Sequence, residues 1–466
     1  MERPSLPTLG DTPRRPPQGG GLSPQLLSNL RLFTGGSCPR FFPDGGVLIE
    51  NGLVSAVGAV GELRASHPAA EQIDLGGRLV QPGQINAHNH LYSYLARGIA
   101  LKDAPPRNFL EILERLWWRL DNALTSEDVY YSGLMGFMEG AKRGVTTVID
   151  HHAGASSMDG SLDQLARGAL EVGNRACLCY EVPARHGLDG AQRGIEENLR
   201  FIKRCQDQPD PLLAAAFGLH ASITVPPAVL AKSLESVSDP KIYFHVHVAE
   251  DLCDVDHSRA TYGCPPLERL VREGLGERRA LVAHCIHLTA AEQQLLSSHQ
   301  MTVLHNPRSN MNNAVGCAPL PKFLRLGLRV GIGTDGMSQD PTHDVLQMAL
   351  VHKLMAHDPQ VLGYMTPYDL AYVNNSAIAS DIFGRPIGTL EPGSAADLMV
   401  VDYDPPTPLD GGNFLGHLLF GMAHAPVYAT MVGGRFIYRE NKLLGVDEKE
   451  VLARGREVAA KLWQRW

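Results

Sequence analysis

The 466-residue chain lacks several features that would assign a sequence to a functional class at once. Its eight cysteines include no C-x-x-C pair, which excludes a zinc ribbon and a thioredoxin-like redox motif. No uninterrupted apolar run reaches about 18 residues, so we expect no transmembrane helix. The 42 Lys and Arg residues are outnumbered by 50 Asp and Glu residues, and the net charge of −8 argues against a nucleic-acid partner. No G-x-x-x-x-G-K-[ST] motif is present, so a nucleoside-triphosphate loop is not expected.

The first residues also lack the apolar segment of a secretory signal. Residues 1–26 are instead rich in proline and glycine, which predicts a flexible N-terminal lead. Without a signal or a disulfide-type cysteine pattern, we expect a cytoplasmic protein with reduced thiols. The overall composition, 44% hydrophobic and 20% charged, is that of a globular chain.

The middle of the chain alternates apolar β-like segments with stretches of helical periodicity. Such alternation predicts a parallel sheet, and eight repeats of similar length predict a closed (β/α)₈ TIM barrel over residues 83–384. The eight predicted strands are residues 84–90, 145–152, 175–182, 213–220, 243–250, 280–285, 301–307 and 329–336.

The two ends of the chain have a different pattern. Residues 27–82 and 385–445 contain short β-like runs broken by glycine, and the Gly433–Gly434 pair indicates a hairpin. We therefore predict an α/β protein whose barrel carries a small β-sandwich domain built from both chain ends. Residues 446–466 have the apolar spacing of an amphipathic C-terminal helix.

Most of the predicted barrel strands end in residues that can bind a metal or transfer a proton. The C-terminal ends of barrel strands are where barrel enzymes carry their catalytic groups. The residues concerned are His88 and His90, Asp150 to His152, His220, His247 and Glu250, His284, His305, and Asp335. This pattern predicts an enzyme active site at one end of the barrel.

The spacing of these residues indicates a metal site. His88 and His90 are two apart on one strand, so their side chains point to the same face. His247 ends the fifth strand, and Asp335 ends the eighth, which lies beside the first in a closed barrel. Three imidazole nitrogens and one carboxylate suit Zn²⁺ or Fe²⁺. A divalent ion lowers the pKa of a bound water towards about 7, which gives hydroxide at neutral pH.

These motifs resemble a known family. The strings QPGQINAHNH, HVHVAE, AHC, HNPRSN and GTDG are similar, in order, to those of the amidohydrolase superfamily. The resemblance is to the branch of the cytosine and guanine deaminases and the chlorohydrolases. Further strings, including LWWRLDNAL, IDHHA, NPRSNMNNAVG and GTDGMSQD, are similar to the SsnA-type aminohydrolases.

The resemblance implies a role for each matched residue. His88, His90, His247 and Asp335 would ligate one divalent metal, with Zn²⁺ preferred and Fe²⁺ as the alternative. Glu250 would shuttle a proton to a ring nitrogen, and His284 would contact the hydroxide or polarise the attacked group. Asp335 would also accept the proton of the metal-bound water before ammonia leaves. Predicted strands three and four contain no lysine to bridge a second metal, which favours a single ion.

The residues that contact the substrate are less directly indicated. His220 ends the fourth strand, where the family often places a substrate ligand. Arg308 and Asn310 follow the seventh strand and are predicted to bind a polar edge of the substrate, with a loop-stabilising role as the alternative. His152 is predicted to line the pocket, with helix capping or support of the ligands as the alternative. The role of the 91–126 segment is left open.

The sequence thus predicts a hydrolase of carbon–nitrogen bonds other than peptide bonds. The small-molecule substrate would be a purine-like heterocycle, deaminated by metal-bound hydroxide with release of ammonia. One alternative is a single-metal cyclic amidohydrolase that opens a purine-derived ring; a dehalogenase is another. The alternative from a different class is a non-catalytic metal- or ligand-binding assembly factor for a selenium or molybdenum hydroxylase pathway. We further predict a homodimer or a larger homo-oligomer.

Overall fold

The structure is a computed structural model that describes residues 23–466. Most of the predicted lead therefore lies outside the described residues. The first strand begins at Gln25, two residues before the predicted start of the small domain at residue 27. It begins there because Leu26 and Leu27 already belong to the apolar core. All eight cysteines are free thiols.

The strands are numbered in chain order. They are β1 (Gln25–Phe33), β2 (Phe41–Glu50), β3 (Leu53–Ala59), β4 (Glu71–Pro82), β5 (Gln84–His90), β6 (Val145–His152), β7 (Arg175–Tyr180), β8 (Leu213–Ala215), β9 (Phe217–Ala221), β10 (Phe244–Val248), β11 (Ala280–His284), β12 (Thr302–His305), β13 (Val330–Ile332), β14 (Asp335–Gly336), β15 (Leu398–Val401), β16 (Val427–Val432), β17 (Arg435–Arg439) and β18 (Lys442–Leu443).

The α-helices are numbered in the same way. They are α1 (Val60–Ser66), α2 (Phe109–Ile112), α3 (Trp118–Ala123), α4 (Ser126–Lys142), α5 (Ser161–Val172), α6 (Gly187–Asp207), α7 (Pro227–Ser236), α8 (Leu252–Tyr262), α9 (Pro266–Arg272), α10 (Ala290–Ser298), α11 (Pro307–Asn312), α12 (Leu320–Arg325), α13 (Pro341–Ala356), α14 (Thr366–Tyr368), α15 (Asn375–Phe383), α16 (Phe414–Phe420) and α17 (Glu448–Arg465).

Both chain ends contribute to one eight-stranded sheet, which we call the terminal sheet. Its strand order is β18-β17-β16-β15-β4-β1-β2-β3. Strand β4 joins the two halves, since it pairs parallel with β1 and antiparallel with β15. Alternate apolar side chains such as Leu27, Val80 and Val400 form a shared buried core. The union of both chain ends agrees with the expectation from sequence, and the description as a β-sandwich stays a prediction.

The central strands form two five-stranded parallel sheets. Their orders are β14-β5-β6-β7-β8 and β13-β12-β11-β10-β9. Two joints connect the sheets, because β8 and β9 are separated by Ala216 alone, and β13 and β14 by Gly333 and Thr334. At the second joint, Gly333 N donates to His305 O on β12 and Thr334 N donates to His88 O on β5 (both 3.1 Å). This succession supports the predicted barrel and places the carboxyl ends of its strands together.

A buried ion pair links the central strands to the terminal sheet. Arg175, at the start of β7, donates to both carboxylate oxygens of Asp397, at 2.6 Å and 3.1 Å. Asp397 also accepts a 2.7 Å hydrogen bond from Gly433 N in the β16–β17 hairpin. Arg175 is 1% exposed and Asp397 is fully buried. The two parts of the molecule are therefore held together by a charge pair without access to water.

The C-terminal helix α17 packs on α4. Asp447 caps its N-terminus by accepting from Lys449 N and Glu450 N. Its apolar side, which includes Val458 and Leu462, is buried. Among the helices of residues 23–466, none is both long and apolar enough to cross a membrane.

Candidate active site

The four predicted metal ligands come from three different strands. His88 and His90 lie on β5, which is buried along its whole length, and His247 lies on β10. Asp335 begins β14, which pairs with the end of β5. The close approach of these strands depends on Gly333, since a Cβ atom there would lie 2.6 Å from both N and O of His88. Local sequence and strand packing therefore bring the ligand set to one place.

The four side chains converge at metal-binding distances. His90 Nε2 lies 3.1 Å from His247 Nε2 and 3.3 Å from the Oδ1 atom of Asp335. His88 Nε2 lies 3.8 Å from the same oxygen. In a tetrahedral zinc site, with bonds of about 2.0–2.1 Å, ligand atoms are separated by about 3.3 Å. The three nitrogens and one carboxylate thus fit Zn²⁺ in both spacing and chemistry.

The second ring nitrogens of these histidines are already engaged. His88 Nδ1 lies 2.8 Å from Nε2 of His245, which gives the first histidine of the HVHVAE string a role. His90 Nδ1 donates to His151 O (2.5 Å), and His247 Nδ1 donates to His220 O (3.0 Å). Such contacts orient the rings and leave Nε2 free for a metal.

Burial keeps these imidazoles neutral. It lowers the pKa of His88 well below the usual value, and neighbouring histidines lower it further. It also lowers the pKa of His90, although Asp335 acts in the opposite direction. Among the described residues, no hydrogen-bond partner reaches the buried Nε2 atom of His88. A neutral nitrogen with a free lone pair is the form that binds a metal.

Glu250 and His284 complete the polar cluster. His284 Nε2 lies 3.4 Å from Glu250 Oε2 and 3.4 Å from the Oδ2 atom of Asp335. On its other side, His284 Nδ1 donates to Asn310 Oδ1 at 2.8 Å. The backbone is left-handed at Ala249 (φ 47°), His284 (φ 69°) and Asp335 (φ 61°). Such strained conformations concentrate at functional sites and here occur at three positions in or beside the polar cluster.

The two carboxyl groups have opposite pKa shifts. Burial, followed by repulsion from Asp335, raises the pKa of Glu250 well above its ordinary value. Burial also acts to raise the pKa of Asp335, but His90 and His284 outweigh it and the net shift is downward. Glu250 is therefore set to carry a proton and Asp335 to be ionised, which is the arrangement of an acid and a base.

A pocket of about 560 Å³ lies above this cluster. The 91–126 segment, whose role the sequence left open, supplies one wall of it. That wall is mainly aromatic and aliphatic, and such surfaces accommodate flat heterocycles. Its lining side chains include Tyr92, Leu101, Phe109, Leu113, Trp117 and Trp118.

The four predicted substrate contacts occupy different positions. His220 lines the pocket, and so does Arg308. Arg308 also donates to Asp344 Oδ2 (2.8 Å) and Ser338 Oγ (2.7 Å), so its guanidinium has structural partners. Asn310 is held on His284 and is not among the lining residues. His152 is fully buried, with its ring 5.9 Å from the ring of Tyr92, and it too is absent from the lining.

Four acidic residues that line the pocket were missed in the sequence, namely Asp121, Glu181, Asp251 and Asp254. Glu181 directly follows β7, so the rule that polar groups end barrel strands could have found it. Asp121 lies on α3 and lines the same pocket. Nothing in the spacing around Asp121 distinguishes it from a solvent-exposed helix residue.

Comparisons with known proteins identify the family of the chain. The Amidohydrolase family model matches residues 79–437, and a bacterial imidazolonepropionase-like composite domain matches residues 45–70. A 5-methylthioadenosine/S-adenosylhomocysteine deaminase from Desulforudis audaxviator (strain MP104C) is 32% identical over 428 residues, which cover 90% of this chain and 95% of that protein.

Two solved structures share the fold. The zinc-bound adenosine deaminase from Xanthomonas campestris has a TM-score of 0.81 and 24% identity, covering 95% of this chain and 100% of its own. The zinc complex of atrazine chlorohydrolase from Arthrobacter aurescens TC1 has a TM-score of 0.79 and 22% identity, covering 93% and 99%. The fold is thus of the α/β TIM-barrel type. From the family match and the near full-length likeness to a deaminase, the chain belongs to the amidohydrolase family.

Proposed function

We propose that the protein is a metal-dependent aminohydrolase that deaminates a purine-like small molecule and releases ammonia. One observation carries the proposal. An acid, Glu250, and a base, Asp335, both lie within 3.4 Å of the same imidazole nitrogen of His284, beside a neutral histidine set. The 32% identical relative, whose name gives it two adenosine derivatives as substrates, supports the same chemistry.

His88, His90, His247 and Asp335 are proposed to hold one divalent ion. We propose Zn²⁺, with Fe²⁺ as the alternative, because neutral imidazoles and one carboxylate suit both. The zinc-bound structural neighbours support the first choice. When bound, such an ion supplies the Lewis acidity that allows water to act as a nucleophile at neutral pH.

The protein's own groups handle the protons of the reaction. Asp335, ionised, accepts a proton from the attacking water. Glu250, whose pKa is raised by burial and then by Asp335, donates a proton to the ring nitrogen next to the attacked carbon. His284, held by Asn310 at 2.8 Å, orients the oxygen that develops there. Water and the amino-substituted ring are converted into ammonia and the oxo-substituted ring, so the atoms balance.

The pocket explains how the ring is placed. The aromatic wall of the 91–126 segment excludes water and stacks on a flat heterocycle. His220 and Arg308 are proposed to contact the substrate because both line the pocket. Asn310 is proposed to act on the reaction by positioning His284. For His152, contact with Tyr92 favours support of that ring over direct contact with substrate.

We also propose how the parts of the molecule are organised into domains and how two copies associate. The two central sheets, joined at both ends, would act as one closed barrel over residues 83–384, with the terminal sheet as the small domain and α17 as the C-terminal helix. A homodimer would need an exposed apolar surface. Leu350 (44% exposed) and Leu354 (70%) on α13, with Phe420 (73%) on α16, provide one.

Ammonia release by the metal-quantified protein tests the proposal. The substrates would be adenine, adenosine, 5′-methylthioadenosine, oxopurines, pyrimidines and triazines, with ultraviolet spectra recorded in parallel. We expect one equivalent of ammonia and an intact ring. Ring opening without ammonia would make the protein a cyclic amidohydrolase, and halide release would make it a dehalogenase. No turnover on any substrate would favour the assembly-factor alternative.

The variant Glu250→Gln tests the role of the acid. It keeps the shape of the side chain but removes the transferable proton, so kcat should fall about 10²- to 10⁴-fold while the metal content is unchanged. Glu235→Gln, on the exposed surface of α7, is the matched control. Full activity of Glu250→Gln would contradict the assigned mechanism.

A further inference from the structure

The pocket contains a carboxylate that the proposed mechanism does not use. Glu181, which directly follows β7, is 3% exposed and lines the pocket. Its carboxylate and ring nitrogens of His220 and His247 all lie within 4.8 Å of one another. Glu181 therefore lies beside the reacting groups, on the side where β7, β9 and β10 end.

No protein group satisfies this carboxylate. Among residues 23–466, the Glu181 side chain accepts no hydrogen bond, and its ion-pair contact is with His151 Nδ1 at 3.5 Å, beyond hydrogen-bond distance. The other carboxylates around the site have donors: Asp335 Oδ1 accepts from Gly336 N at 2.9 Å, and Asp150 Oδ1 from Leu91 N at 2.7 Å. Buried polar groups are nearly always hydrogen-bonded, so an unpartnered one that faces a cavity points to a ligand.

The neighbouring histidine limits which chemical group of a ligand can bind beside Glu181. His220 Nδ1 lies 2.6 Å from Thr224 Oγ1, so this nitrogen is engaged. The ring of His220 still lines the pocket next to Glu181. A carboxylate beside an imidazole edge suits a ligand with at least one hydrogen-bond donor at that point. On a purine-like substrate such a donor is a ring N–H or a sugar hydroxyl.

We propose that Glu181 is a specificity-determining residue that accepts a hydrogen bond from a ring N–H or a sugar hydroxyl of the substrate. The inference rests on the proposed deaminase function and adds that the substrate must carry this hydrogen-bond donor. A substrate without this donor would fill the pocket and leave Glu181 buried and unpartnered. Because a buried hydrogen-bond acceptor left without its donor loses about 10- to 100-fold in affinity, the preference is measurable.

The test combines removal of the donor with removal of the acceptor. One arm compares adenine with 9-methyladenine, in which a methyl group replaces the single ring N–H of the neutral base. The other arm compares adenosine with 2′-deoxyadenosine and 3′-deoxyadenosine, each of which lacks one hydroxyl. Values of kcat, KM and Kd are measured for the native metal-loaded protein and for Glu181→Gln, Glu181→Ala and the control Glu235→Gln.

We expect one modification to lower kcat/KM of the native protein by about 10- to 100-fold and to have almost no effect on Glu181→Ala. The arm in which this happens identifies the donor as N–H or hydroxyl. Glu181→Gln, whose amide oxygen still accepts a hydrogen bond, should keep part of the preference and confirms that the fold tolerates the position. The control should behave as the native protein.

Two results would overturn the inference. One is that Glu181→Ala lowers kcat/KM by the same factor for every substrate, which is the behaviour of a structural residue. The other is that the native protein discriminates against none of the modified compounds in either kcat/KM or Kd. Absence of ammonia from all substrates would reject the proposed function separately, and the Kd values would then decide on Glu181 alone.

Discussion

The buried pair of Arg175 and Asp397 allows a quantitative prediction about the link between the two parts of the molecule. In Asp397→Asn the side chain keeps its shape, but the guanidinium of Arg175, 1% exposed, loses its counter-charge. Breaking a buried ion pair in this way costs about 3–5 kcal/mol. The free energy of unfolding should fall by that amount, measured by urea denaturation followed by circular dichroism and fluorescence.

Two comparisons make the result specific. Asp207→Asn removes an exposed pair of similar length, 2.8 Å to Lys203, with side chains 56% and 74% exposed, and should change stability little. The double variant Arg175→Met/Asp397→Leu removes both buried charges and should recover most of the loss. The reasoning is refuted if Asp397→Asn costs no more than Asp207→Asn.

Three further predictions concern pH, metal and packing. Burial lowers the pKa of His352 from 6.5 to about 4, so its neutral ring contributes fully above pH 6.5 and the contribution is lost as the pH falls towards 4. Between pH 6.5 and pH 4, the unfolding free energy of the native protein should fall by up to about 3 kcal/mol more than that of His352→Gln, measured by urea titration. His357→Gln, which changes an exposed histidine, is the control. After the metal is removed by chelation, Zn²⁺ at about 100 times its Kd should restore about 2.7 kcal/mol of unfolding free energy. If the thermal midpoint does not change when Zn²⁺ is added, the proposed metal site is contradicted. Gly333→Ala would place a Cβ atom 2.6 Å from the His88 backbone. Its metal content should therefore drop, whereas Gly61→Ala on α1, whose Cβ would meet no atom within 4 Å, should retain the metal.

The ligand set was predictable because it follows from local rules. The H-x-H spacing of His88 and His90 requires only that β5 be a strand, and the order of His247, His284 and Asp335 follows from alternating strands and helices. The same rule, applied to the residue after β7, would have found Glu181. Asp335 was found even though its strand is split at Gly333 and Thr334, because the polar residue still occupies the strand end.

Other features depend on contacts that no local pattern encodes. The hydrogen bonds of Arg308 depend on Asp344, which belongs to α13 and meets it only through tertiary packing. Asn310 is similar, since its partner His284 lies on another strand. The aromatic wall comes from the 91–126 segment, which includes the short helices α2 and α3. Their sequence pattern does not say which side faces the pocket, so the side chains could be placed only once the surrounding strands were known.

The junction of β4 and β15 has a consequence for how the protein is made. Gln81 pairs with Met399, which the ribosome adds 318 residues later. At about 5–20 residues per second, β4 waits roughly 15–65 s for that neighbour. Throughout this interval the nascent chain presents the free edge of a partial sheet, a known template for aggregation. A translation product that stops before residue 398 would keep that edge open permanently, so chaperone capture during synthesis should begin when β4 emerges and end when β15 docks.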